Sequence, residues 1–94
     1  MITVAPQDIF LVTEDRTVIV RLPSFEWDFR LGADVRLRAG ERSLLARQIG
    51  TGNHEGRATI LLSPYGEWSN AVRDFRNIEQ SGLPIVLEVT KEKP

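Results

Sequence analysis

The stretch SPYGEWSNAVRDFRNIEQSGLP, Ser63 to Pro84, carries the clearest helical pattern in the chain. Apolar residues recur in it at spacings of three and four, which places them along one side of an α-helix. These residues are Tyr65, Trp68, Ala71, Val72, Phe75 and Ile78. Ser63 and Pro64 are typical of a helix start, and Gly82 is typical of a helix end. The pattern predicts a helix over about residues 64–81, and its packing on a sheet decides whether the chain folds.

The segments around this helix have the patterns of β-strands. Residues 9–12 and 18–22 are rich in β-branched and aromatic types and flank a polar turn, which predicts a hairpin. Further strands are predicted over residues 25–31, 35–39, 43–49, 57–62 and about 85–90. We therefore expect an α+β fold, a mainly antiparallel meander of about five to six strands followed by the helix and a final strand, in a single domain over residues 1–94.

Composition limits the chemistry available to the chain. Its 94 residues include thirteen acidic and twelve basic side chains, for a net charge of −1, and no cysteine. The lack of cysteine excludes disulfides, thiolate zinc sites and cysteine nucleophiles. The near-neutral charge gives no overall field that would attract nucleic acid or a membrane. The opening MITVAPQD lacks the features of a signal peptide, so we expect a cytoplasmic protein without a membrane anchor.

The stretch GTGNHEG, Gly50 to Gly56, holds three glycines and the only histidine. Its glycine spacing does not match a dinucleotide phosphate loop, and it precedes a strand rather than a helix. His54 has no second histidine for a metallopeptidase site and no serine in a nucleophile elbow. We interpret the stretch as a turn. The sequence therefore predicts a non-enzymatic protein with no catalytic, cofactor-binding or metal-binding residues, no cofactor and no small-molecule substrate.

A group of arginines gives a hypothesis of nucleic-acid binding. The residues are Arg36, Arg38, Arg42, Arg47 and Arg57, which a meander could bring together into a basic patch able to bind phosphates. Acidic residues are interleaved with them, and the aromatic residues that would stack on bases fall on predicted core faces. We keep nucleic-acid binding as an alternative.

The first hairpin carries the positive functional signal. Its strands are apolar on both faces, and the residues concerned are Ile9, Phe10, Leu11, Val12, Val18, Ile19 and Val20. Strands of this kind require cover on both sides. One interpretation is a central hairpin buried between the helix and the meander. The other is that part of the hairpin is a protein interface, exposed in the monomer and buried in an assembly.

The segment APQDIFLVTEDRTVIV resembles the opening of small proteins encoded among the virion genes of tailed bacteriophages. In those proteins a Pro-Gln near the start is followed by a run of the type Glu-x-Arg-Thr-hydrophobic-x-Val. The matching residues in this sequence are Pro6, Gln7, Glu14, Arg16, Thr17, Val18 and Val20. The resemblance covers less than a fifth of the chain, implies a phage or prophage origin and carries over no site residue.

These observations favour a structural, assembly or protein-binding module. The resemblance places it among phage virion or tail-associated components, formed in the host cytoplasm and incorporated into the particle. Such a component would act through β-strand surface and self-associate or bind another protein. An alternative of another class is a small inhibitor or immunity-type protein that blocks a host nuclease or toxin, since such proteins also act by surface complementarity.

Overall fold

The computed structural model describes residues 1–23 and 32–90. Its strands are β1 (Ile2–Val4), β2 (Ile9–Val12), β3 (Thr17–Arg21), β4 (Asp34–Ala39), β5 (Arg42–His54), β6 (Arg57–Pro64) and β7 (Ile85–Val89). Its helices are a 3-10 turn (Pro6–Asp8) and α1 (Trp68–Gln80). The predicted strand over 25–31 lies outside the described residues. The α+β class is confirmed, with more strands than predicted.

All seven strands belong to one antiparallel sheet in the order β1-β7-β4-β5-β6-β3-β2. The predicted meander is limited to β4, β5 and β6, which follow one another in both chain and sheet. The hairpin of β2 and β3 joins the sheet beside β6, and β7 returns after α1 to lie between β1 and β4. Strand β1 escaped prediction because three residues are too few to show an alternating pattern.

A short connection forces this sheet to curl. Strands β1 and β2 lie at opposite edges, yet only the 3-10 turn and its flanking residues separate Val4 from Ile9. Those five steps span at most about 18 Å, whereas seven flat strands would hold the edges about 29 Å apart. The edges therefore approach each other, and the protein measures 30 × 29 × 27 Å along its principal axes. The sheet has a concave inner face and a convex outer face.

Buried apolar side chains line the inner face. Ile9, Val20 and Ile60 are neighbours across β2, β3 and β6, and all three are buried. Phe75 and Ile78 of α1 belong to the same core cluster. The helix contacts β5, β2 and the 3-10 turn. The predicted packing of the helix on the sheet is therefore confirmed, and it occurs on the inner face.

The helix starts four residues later than predicted. Pro64 still belongs to β6, where it pairs with Ala46. Gly66 then takes a φ of 80°, which lies in the left-handed region and ends the strand. Glu67 is the N-cap residue with extended backbone, and its side chain makes no capping hydrogen bond. Tyr65 consequently lies outside the helix, and the apolar stripe begins at Trp68.

The predicted end of the helix is confirmed. Gly82 takes a φ of 72°, which glycine adopts without steric cost. The hydroxyl of Ser81 donates a hydrogen bond to the carbonyl of Ile78 at 2.8 Å and accepts one from the amide of Leu83 at 3.2 Å. At 13 residues α1 is short, and within residues 1–23 and 32–90 we find no helix with the length and apolar character needed to cross a membrane.

The packing of α1 is tested by truncating its central aromatic side chain. We expect Phe75→Ala to lower the free energy of unfolding by about 3–5 kcal/mol, because the removed ring leaves a cavity in the core. Urea unfolding followed by tryptophan fluorescence measures this change. Arg76→Ala, on the exposed side of the same helix, should stay within about 0.5 kcal/mol of the parent. Equal effects of the two substitutions would contradict the packing described here.

Candidate protein-binding surface

The hairpin of β2 and β3 divides its apolar residues between the two faces of the sheet. Ile9, Val18 and Val20 lie on the inner face and are at most 2% exposed. These three of the predicted interface residues therefore belong to the core. Leu11 is also on the inner face, half-buried, and packs against the core cluster. The interpretation of a hairpin buried between the helix and the meander therefore holds for the inner face only.

The remaining hairpin residues lie on the outer face. Phe10 pairs with Ile19, and Val12 pairs with Thr17. Phe10 is 39% exposed, while Val12 and Ile19 are half-buried. Within the predicted interface, these three residues are the ones placed to meet a partner while the protein stays folded.

The apolar surface continues beyond the hairpin. Ile19 pairs with Leu61 of β6, and Leu61 pairs with Gly50 of β5. A side chain at Gly50 would come within 3.3 Å of Leu61, so the glycine leaves room for the leucine. The register of β5 shifts beside this glycine at Ile49, which is 50% exposed. We name Phe10, Ile19, Leu61 and Ile49 the outer apolar row.

A cluster of charges fixes one end of β2. The Asp8 carboxylate lies 3.0 Å from guanidinium nitrogens of both Arg21 and Arg57. Arg21 also donates a hydrogen bond to the carbonyl of Gln7, and Arg57 donates one to the carbonyl of Leu22, each at 3.2 Å. We name Asp8, Arg21 and Arg57 the Asp8 clamp. It ties the 3-10 turn to β3 and β6, and it carries one more positive than negative charge.

Arg21 of the Asp8 clamp and His54 of β5 both lie beside the exposed ring of Phe10. The guanidinium carbon of Arg21 lies 4.9 Å from the centre of that ring, within the range of a cation–π interaction. The His54 ring lies 6.3 Å from it, tilted by 46°. Sequence reasoning missed this grouping, because nothing in the local pattern relates positions 10, 21 and 54.

The glycine-rich stretch is mostly strand. β5 continues to His54, and the turn itself consists of Glu55 and Gly56, with φ values of 53° and 81°. Two consecutive positive φ values are typical of a two-residue type I′ hairpin loop. The side-chain oxygen of Asn53 accepts a hydrogen bond from the Gly56 amide at 3.0 Å. The chain reverses here as predicted, in a turn shorter than the seven residues of the motif.

The predicted arginine patch does not form as one cluster, and three of its five members share a surface. Arg36 and Arg38 lie on the outer face of β4, and Arg47 lies beside Asp34 on the same face. Arg38 is 3.4 Å from the carboxylate of Glu88. Acidic groups are therefore interleaved with these three arginines, as the sequence indicates.

The other two arginines lie apart from this group. Arg42 is exposed where β5 begins, beside the turn that joins it to β4. Arg57 is six positions along β6 from Ser63, the partner of Arg47, which corresponds to about 20 Å. Its guanidinium is part of the Asp8 clamp. The structure does not bring Arg57 together with the arginines of β4.

Among the residues that the structure describes, the outer face is nevertheless positive. Its arginines are Arg21, Arg36, Arg38, Arg47 and Arg57. Against these five stand three carboxylates, those of Asp8, Asp34 and Glu88. The other described residues include seven acidic side chains and four arginines. The charges within α1 cancel, so the excess negative charge lies in the turns and at the residue before α1. A partner with acidic groups around an apolar centre would complement the outer face.

Tyr65 contacts the first residue of β4, Asp34, which lies on the outer face. Its hydroxyl donates a hydrogen bond to the Asp34 carboxylate. This hydrogen bond is the main cause that raises the pKa of the Tyr65 hydroxyl above its ordinary value of 10.0; lost hydration and the charge of Asp34 add to it, and Arg47 opposes it. The contact anchors the connection between β6 and α1 to β4.

Within residues 1–23 and 32–90, no three or more histidine, cysteine or acidic side chains are grouped so that they could hold a metal ion. Comparison of the chain with protein-family models, with curated proteins and with solved structures found no match.

The Asp8 clamp is tested by removing its negative charge. We expect Asp8→Asn to lower the free energy of unfolding by about 1–2 kcal/mol, because two arginines lose their charged hydrogen-bond partner and Arg57 is partly screened by water. Chemical unfolding gives the value. Asp15→Asn, an exposed acid in the turn between β2 and β3, provides the matched control and should change stability by less than about 0.5 kcal/mol. If Asp8→Asn is equally neutral, the clamp has no structural role.

The contact of Tyr65 is tested by a pH titration. The chain has a single tyrosine, so the absorbance of tyrosinate reports this residue alone. We expect half-ionisation above pH 10 in the parent and closer to pH 10 in Asp34→Ala, because the substitution removes the acceptor and its charge. The pKa of Tyr65 is higher in the folded than in the unfolded protein. The contact therefore stabilises the folded protein below pH 10, and this contribution is lost as the pH rises through the pKa of the folded state. Identical titrations would contradict the contact.

Proposed function

We propose that the chain is a non-enzymatic assembly or protein-binding module that acts through the outer apolar row and the adjoining edge strand β2. One observation carries the proposal. The inner face of the hairpin is filled by the core, while its outer face keeps Phe10 39% exposed on a strand at the edge of the sheet. Exposed aromatic residues are enriched where proteins meet.

The neighbours of Phe10 support this proposal. The outer apolar row crosses β2, β3, β6 and β5, so a partner lying across these strands would cover several apolar side chains at once. The Asp8 clamp holds the start of β2 in place before a partner arrives, which lowers the entropy lost on binding. Ordered apolar surface beside a fixed strand edge is the arrangement used in recognition by strand addition.

The resemblance to virion proteins supplies the setting of the proposal. The residues that carry it lie in the 3-10 turn, in the turn between β2 and β3, and in β3, so they form the frame of the proposed surface. A phage virion or tail-associated component is a protein whose function is to bind neighbouring subunits. We therefore propose this role, in host cytoplasm and then in the particle, in preference to a role in solution alone.

The two alternative functions, inhibition of a host protein and nucleic-acid binding, differ from the proposed role in the molecule that is bound. An inhibitor or immunity-type protein would use the same surface on a single host protein and would not form regular assemblies. Nucleic-acid binding is favoured by the positive outer face, and it would show affinity that falls steeply with salt concentration and requires Arg36, Arg38 and Arg47. Titration of DNA and RNA at low salt distinguishes that case from both protein-binding roles.

The proposed surface is tested by photo-crosslinking at two matched aromatic positions. Phe10 and Tyr65 are 39% and 40% exposed, and each can be replaced by the photoreactive aromatic residue benzoylphenylalanine. We expect position 10 to cross-link one defined protein, whether a second copy of the chain or another protein, and position 65 to cross-link none. Mass spectrometry identifies the product, and the purified components then reconstitute it. Equal cross-linking at both positions, or none at position 10, would exclude the proposed surface.

A further inference from the structure

We infer that the partner of β2 is the β2 strand of a second copy of this chain, paired antiparallel across a two-fold axis that passes at Phe10. The inference rests on the proposed function and specifies its partner. This pairing of the two β2 strands would make the outer face of one protomer continuous with the outer face of the other. Three features support this pairing: the edge of β2, its apolar residues and the charges at its two ends.

The free edge of β2 is open to pairing. Among the described residues β2 pairs only with β3. At the start of its other side the amide of Ile9 donates a hydrogen bond to the carbonyl of Pro6, so within residues 1–23 and 32–90 the backbone groups of β2 that are open to a further strand lie beyond that amide. Natural proteins protect such edges with proline, bulges or charged side chains. The sequence IFLV of β2 contains none of these. The opposite edge, β1, is one residue shorter and is followed closely by Pro6, so β2 is the edge suited to extension.

The apolar residues determine the register. Residues directly opposite in an antiparallel pair lie on the same face, so the outer faces of two copies coincide only if the axis passes at a residue and not between two residues. With the axis at Phe10, the two phenylalanines lie opposite each other. Leu61, Ile19 and Phe10 of one protomer then continue into Phe10, Ile19 and Leu61 of its partner. This register joins the two apolar rows into one.

The charges favour the same antiparallel arrangement. At its far end β2 leads into a turn with Glu14, Asp15 and Arg16, which together carry −1, whereas the Asp8 clamp at its near end carries +1. Antiparallel pairing across a two-fold axis places the acidic turn of each copy beside the clamp of the other. Two unlike charge pairs are formed by symmetry, whereas a parallel arrangement would place like charges side by side.

The expected dimer is weak and sensitive to salt. At most four residues on each side form the ladder, and the Ile9 amide is already bonded to Pro6, so the interface belongs to the small and transient class. The charge pairs lie at its two ends, in contact with water, and are screened as ionic strength rises. Sedimentation velocity over a range of concentrations should show reversible dimer formation that weakens between low and high salt.

Cysteine cross-linking tests the register. The chain has no cysteine, so a single introduced thiol can form a disulfide only between two copies. In Phe10→Cys the paired Cα atoms would be about 5 Å apart, within the range that a disulfide spans. In the matched Ile19→Cys variant, one strand further from the axis on the same face, they would be about 14 Å apart. With diamide as the oxidant we expect rapid disulfide formation in the first variant and none in the second.

Charge reversal tests the two acidic ends. Glu14→Lys should weaken the dimer by about tenfold, because two symmetry-related attractions become repulsions. Glu41→Lys makes the same change in the exposed turn between β4 and β5, away from the axis, and should leave the dissociation constant unchanged. Equal weakening by the two substitutions would overturn the charge argument and with it the antiparallel arrangement.

The outcomes separate this inference from the proposed function. A monomer at all concentrations, or a dimer in which Phe10→Cys forms no disulfide, overturns the pairing of β2 with itself. If position 10 then still cross-links a different protein, the proposed binding surface stands with another partner. If position 10 cross-links nothing, both proposals fail. A salt-sensitive dimer with the disulfide in Phe10→Cys alone supports both.

Discussion

The fold depends on one short connection. The 3-10 turn and the residue before it must carry the chain from one edge of the sheet to the other in four residues, and this is feasible only because the sheet curls. The curl produces a concave face, which α1 and the inward side chains fill, and a convex face that one helix cannot also cover. The Asp8 clamp ties the turn to β3 and β6, so it maintains the connection on which the curl depends.

The same geometry explains why the first hairpin is apolar on both faces. Its inner residues supply part of the core, and a chain of this size buries a limited fraction of its surface. Its outer residues have no such role, because α1 lies on the other side of the sheet. The core therefore does not account for Phe10 and Ile19 at those positions. Contact with another protein is the role that we propose for them.

The sequence predicted those elements whose signals are local. Helix α1 and strands β2 to β7 were predicted, since periodicity and residue type depend on neighbouring residues alone. The start of α1 was misplaced because Ser-Pro is typical of a helix start, while the pairing of Pro64 with Ala46 is a tertiary interaction. The contacts of Phe10 with Arg21 and His54, and the Asp8 clamp, join residues far apart in the chain. No local pattern encodes them, so only the surface type, and not its geometry, could be predicted.

An open strand edge can lead either to aggregation or to a defined complex, and the symmetry of the pairing decides between the two outcomes. Unpaired edges promote indefinite aggregation when each added strand exposes a new one. If β2 pairs with β2 across a two-fold axis, both edges are consumed in the same contact and the association closes at two copies. The remaining edge, β1, has three residues beside Pro6 and supports little further growth. The opposite charges at the two ends of β2 favour the closed antiparallel arrangement over open stacking. A small assembly protein requires this combination, an apolar strand exposed enough to pair and a geometry that limits the pairing.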